Sequence, residues 1–115
     1  MKFLKYLVLV SFFSLVSASS YAEAGWSGKA TITSIYAMNE NAAIVKLSNF
    51  SNTHACKTQD GGDIFINPNT QKTWFTLLLS AYMAGKSVDI WVTANCIPYW
   101  AGTDFAEIGH VRVIN

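Results

Sequence analysis

One stretch of this chain, residues 71–84, carries apolar residues at helical spacing, and the other patterned stretches read as extended. Trp74, Leu78, Ala81 and Tyr82 recur on one face, with Phe75 and Leu79 widening the stripe. Asn67-Pro68-Asn69-Thr70 ahead of it stops a strand and offers capping side chains, and Gly85 behind it suits a left-handed end. Residues 29–38 are rich in Thr, Ile and Tyr and read as a strand. Asn39-Glu40-Asn41 is a polar turn, and residues 42–47 return as the second arm of a hairpin. A third extended stretch opens at Cys56, is interrupted at Asp60-Gly61-Gly62-Asp63 and resumes over residues 64–66. After the helix, Val88, Ile90 and Val92 face one way and Asp89, Trp91 and Thr93 the other. Residues 94–104 read as a loop, and 105–114 as a last strand in which Val111 and Val113 alternate with His110 and Arg112.

The expected order is therefore β-β-β-α-β-β, mostly β with one helix. That string fits an OB-fold-like five-stranded Greek-key barrel, in which a helix between the third and fourth strands caps one end. An open antiparallel sheet carrying one packed helix gives a similar string.

Residues 1–22 read as an address. Lys2 and Lys5 provide a positive start, residues 7–16 an apolar run of signal-peptide length, and Ser20-Tyr21-Ala22 a small-residue cleavage site. The run is too short for a permanent membrane span. The expectation is an exported protein, periplasmic or secreted, with residues 23–115 forming a single domain. Export would remove Lys2 and Lys5, taking the formal net charge from +1 to −1. The remaining charges lie scattered, without the basic stripe that nucleic-acid binding needs or the polybasic patch that anionic membranes attract.

The two cysteines, Cys56 and Cys96, both fall in the exported part, where an even count favours a disulfide. Closing that loop would stabilise the fold by roughly 4 kcal/mol in the chain-entropy treatment. A redox pair would sit closer in sequence, and zinc would need more soft ligands than these two with His54 and His110.

Catalytic chemistry finds no foothold. His54 falls in a polar loop and His110 on the outer side of the last strand, and there is no nucleophile-elbow motif. Asp60 and Asp63 flank two glycines and read as a turn rather than a calcium site. Asn49-Phe50-Ser51 matches a glycosylation triplet that arises readily by chance. The expectation is a protein that is not an enzyme and holds no metal or cofactor. Trp91, Tyr99 and Trp100 are the candidate ligand contacts, because aromatic faces stack on sugar rings and are favoured at interfaces. The competing reading places Trp100 over the barrel end and Trp91 against the helix.

Several segments carry a resemblance. Gly25-Trp26-Ser27-Gly28 resembles the start of the secreted B subunits of subtilase-type and typhoid-type toxins. Phe75-Thr76-Leu77-Leu78 through Ala81-Tyr82 to Gly85-Lys86-Ser87-Val88-Asp89-Ile90 resembles their helix and following strand, and Ala55-Cys56 falls where they carry an alanine-cysteine pair. Those subunits are OB-folds that assemble in rings of five and bind cell-surface glycans. The chain lacks their strand-two cysteine and cysteine-bearing C-terminal tail, and their glycan-contact loops find no counterpart. It is similar also to small exported bacterial proteins with one disulfide and no assigned activity. The resemblance implies an exported binding domain that recognises glycans or another envelope or host surface component, with a homo-pentamer as the toxin-like assembly. The alternative expectation is a periplasmic structural or accessory protein that binds another protein.

Overall fold

The computed structural model describes residues 24–51, 56 and 63–115. The expected signal peptide, His54 and most of the expected Asp60-Gly61-Gly62-Asp63 turn lie outside the described residues. Six strands and one helix follow in the order β1 (Gly25–Trp26), β2 (Ala30–Asn39), β3 (Ala42–Leu47), β4 (Asp63–Ile66), α1 (Lys72–Ala84), β5 (Ser87–Pro98) and β6 (Asp104–Ile114). The described residues are mostly β with one helix, and their six strands join one sheet.

The pairings run in a closed circuit. β2 pairs antiparallel with β3, and β3 with β4. β4 lies parallel to β6, β6 antiparallel to β5, and β5 antiparallel to the start of β2. The core lies on the inner face of this circuit. Val45, Ile64, Ile66, Val88, Ile90, Val92, Ala106 and Ile108 fill it and are buried. In β4 and the first half of β5 they alternate with partly buried neighbours, the period of a strand with one face in the core.

Helix α1 places Leu78 and Ala81 in that core, with Trp74 and Phe75 packed at its margin. Tyr82 and Leu79, expected in the same stripe, are both 39% exposed. Leu78 and Ala81 centre the buried arc, which leaves these two on its flanks. The expected side-chain cap is also corrected. Asn67 Oδ1 accepts from the Asn69 and Thr70 backbone N–H groups, and Gln71 Oε1 accepts from the Asn67 N–H. The asparagine thus closes its own turn, and Gln71 caps the helix without a side-chain hydrogen bond. Gly85 ends the helix as expected, at φ 67° and ψ 29°, with the Lys86 N–H donating to the Ala81 carbonyl.

Two further expectations give way. Gly25-Trp26 is a strand, pairing with Val92 and Trp91 at the edge of β5. Its register is pinned by Ser27, which is fully buried. The Ser27 N–H donates to the Ile90 carbonyl, its Oγ accepts from the Ile90 N–H, and its carbonyl accepts from both N–H and Oγ of Ser51. Gly28 follows at φ 89°, where an added Cβ would strike the Ser51 hydroxyl. The fourth expected strand, in turn, does not stop at Thr93. β5 continues through Cys96 to Pro98, with a register irregularity between Val92 and Cys96. Cys96 therefore lies within a strand rather than just past one.

The disulfide forms as expected. Cys56 and Cys96 are bonded with Cα atoms 5.6 Å apart, and the chain has no other cysteine. It staples the segment before β4 to the irregular part of β5.

Candidate functional site

The outer face of the circuit carries a groove. Register sets its floor: Ile44 is paired with Tyr36 of β2 and Phe65 of β4, and Lys46 with Ser34 and Asp63. Partners across neighbouring strands share a face. Ile44 is only 7% exposed although it belongs to the outer side, and Phe105 of β6 is 4% exposed. Both are covered by aromatic residues from outside the core.

Trp100 packs over Phe105 and lines the groove together with Ile44. Its ring lies 6.3 Å from Tyr36 at an interplanar angle of 21°, and edge-on to Phe105 at 5.9 Å and to Tyr99 at 4.9 Å. Tyr99 in turn meets Phe65 at 6.2 Å. Trp100 remains 44% exposed and Tyr36 56%. The cavity between them is about 380 Å³ and is bordered by Ser34, Lys46, Asp63 and Thr103 as well as the aromatic rings.

Local hydrogen bonds hold the loop that presents these rings. Thr103 Oγ1 accepts from the Trp100 N–H and donates to the Trp100 carbonyl, and the Thr103 N–H donates to the same carbonyl. Gly102, at φ 79°, makes the return possible. The Tyr99 hydroxyl accepts from Asn39 Nδ2, tying the loop to the β2–β3 turn. The groove's charges pair with each other, Lys46 Nζ lying 3.4 Å from Asp63 Oδ1.

Trp91 is not part of this groove. It is paired with Trp26 and His110 on the outer face of β1, β5 and β6. The His110 ring sits 5.0 Å from Trp91, edge-on, and 5.9 Å from Trp26. Arg112 lies over the Trp26 ring at 4.2 Å and bonds Asp89 Oδ2 at 3.1 Å. Trp91 covers the Cα of Gly109, where any Cβ would overlap its ring. The three residues singled out by sequence thus divide two to one. Tyr99 and Trp100 come together, with Trp100 lining the groove and Tyr99 packed against it, and Trp91 stands in a second aromatic cluster.

Sequence reasoning missed Tyr36, Phe65 and Phe105. Tyr36 carried a usable signal, because it stands among the polar-side residues of an amphipathic hairpin. Phe65 and Phe105 carried none, since an aromatic between aliphatic neighbours in a strand reads as core. Among the described residues, the one cluster with metal-ligand chemistry is Cys56, Cys96 and Asp104. Its two sulfurs are spent in the disulfide, so it does not fit a metal.

The fold and groove define a mostly-β domain with one helix and an aromatic outer cleft. No protein family, curated protein or solved structure matches the chain.

Proposed function

We propose that this chain is an exported OB-fold-like domain that binds neutral glycans through the Tyr36–Trp100 groove, in the manner of a toxin B subunit and without catalysis. The observation that carries the reading is the groove's place in the circuit of strands. Five strands paired in the order β2-β3-β4-β6-β5, with the helix between β4 and β5, support an OB-like reading. Ligands of that fold, oligosaccharides and oligonucleotides among them, lie on its second and third strands between the first and the last loops. On the OB-like reading those parts would be β3, β4, the Glu40-Asn41 turn and the Tyr99–Thr103 loop. Ile44, Lys46, Asp63, Trp100 and Thr103 border the groove from them.

The chemistry selects among ligands. Partly exposed Trp and Tyr rings offer flat apolar faces to the C–H surface of a pyranose, and the Thr103 and Ser34 hydroxyls suit its oxygens. The Lys46–Asp63 pair cancels the charge that would draw a phosphate backbone. A neutral sugar with equatorial hydroxyls, which leave its ring faces bare, matches best.

An array of neutral and acidic glycans, read with wild-type protein and with Trp100→Ala, tests the reading. Wild type is expected to bind neutral glycans, and Trp100→Ala to bind at least about tenfold more weakly while melting near the wild-type temperature. A wild type blind to every glycan would overturn the proposal, as would an undiminished Trp100→Ala.

A second reading, docking to another protein, is favoured by the outer side of α1. Met83 is 81% exposed there, and Leu79, one turn before it, is 39% exposed. A native mass spectrum separates self-assembly, with five subunits as the toxin-like outcome, from a monomer free to bind a different protein.

A further inference from the structure

The outer face continues past the groove through Phe65, the register partner of Ile44. In the parallel pairing of β4 with β6, Phe65 stands beside Glu107 on the outer face. Glu107 Oε1 accepts from Thr93 Oγ1 at 2.7 Å and from Asn95 Nδ2 at 3.1 Å. A carboxylate has lone pairs for about four donors, so this one keeps capacity for ligand hydroxyls. Beyond it, β6 bulges at Gly109, and the second aromatic cluster of Trp26, Trp91 and His110 begins. The outer face of β5 and β6 therefore reads aromatic, polar, aromatic in unbroken succession. At about 3.3 Å per residue, Phe105 to His110 spans roughly 16 Å of strand, enough for about three consecutive sugar rings.

Resting on the glycan-binding reading, we infer that the groove is the first subsite of a longer track. The track takes a linear, neutral, β-1,4-linked oligosaccharide, with Glu107 and Asn95 contacting its middle unit and Trp91 and Trp26 stacking on a distal one. The charges at both ends of the track are already paired, Lys46 with Asp63 and Arg112 with Asp89. A neutral chain would leave both pairs intact, whereas an anionic one would have to break them. Gly109 keeps the middle of the track low, because the bare Cα lets the Trp91 ring close over the strand. A β-1,4 linkage between equatorially substituted rings gives the extended ribbon that such a straight path requires.

The test is calorimetric titration of the mature protein with β-1,4-linked N-acetylglucosamine and glucose oligomers of one to six units. The inference expects affinity to rise about tenfold or more from one unit to four and then level off. In Trp91→Ala that dependence on length should be largely lost. Trp26→Ala, which alters a more exposed ring, provides a second variant should Trp91→Ala fold poorly. Glu107→Gln should weaken binding of the longer oligomers several-fold. Wild-type affinity that does not change with length, or a Trp26→Ala variant that keeps the full gain, would overturn the track and leave the groove standing. No binding at any length in either series, against binding of other neutral glycans on the array, would also overturn it. No binding on the array at all would remove the glycan reading itself.

Discussion

Gly109 shows how much of the outer surface depends on one missing methyl group. The Trp91 ring occupies the space that a Cβ would need, so Gly109→Ala must move either the indole or the β6 bulge. Displacing a packed aromatic in this way costs about 1–3 kcal/mol. A lowered urea midpoint with unchanged slope is the expected result, and an unaltered midpoint would mean that Trp91 does not rest on Gly109. Ser27 and Gly28 are similar cases. Gly25-Trp26-Ser27-Gly28 is visible as a motif, but its work is not legible in sequence. Ser27 is polar and fully buried because its N–H, Oγ and carbonyl all find partners on Ile90 and Ser51, and those partners lie far along the chain. The alternation of Val88, Ile90 and Val92 was legible, since burial on one side of a strand leaves its period in the sequence.

At the scale of elements, the hairpin, the helix and its glycine stop follow from local pattern alone. The misreadings have local causes too. A two-residue strand such as β1 has no period to detect, and its identity comes from pairing with Trp91 and Val92. The second half of β5, Ala94-Asn95-Cys96-Ile97-Pro98, mixes loop formers with apolar residues, and β6 keeps it extended. The disulfide joins that irregular half of β5 to Cys56, ahead of β4 in the chain. Replacing both cysteines by serine should therefore lower unfolding stability by about 4 kcal/mol, as loop closure over the 40-residue separation implies. Denaturation in urea with and without a reductant measures it, and equal midpoints would contradict a structural bridge.

At the scale of the molecule, the groove is assembled by topology. Tyr36 and Trp100 are far apart in sequence, and they stack because the circuit brings the β5–β6 loop over the β2–β3 hairpin. Tyr99 and Trp100 could be named from sequence as exposed aromatics. Their partners could not, because Phe65 and Phe105 look like core residues until the strand faces are known. Trp91 was grouped with them by nearness in sequence, and the length of β5 carries it to a separate cluster. Both cations on this surface, Lys46 and Arg112, are matched by a carboxylate, a pairing that no composition reveals. The most direct test of the account is a two-dimensional NMR titration with a neutral β-1,4-linked trisaccharide, following the four tryptophan indole N–H signals. The account predicts that Trp100 shifts most and Trp91 and Trp26 also move, while Trp74 on the helix stays in place. Shifts confined to Trp74, or no shift in any indole at saturating sugar, would contradict it.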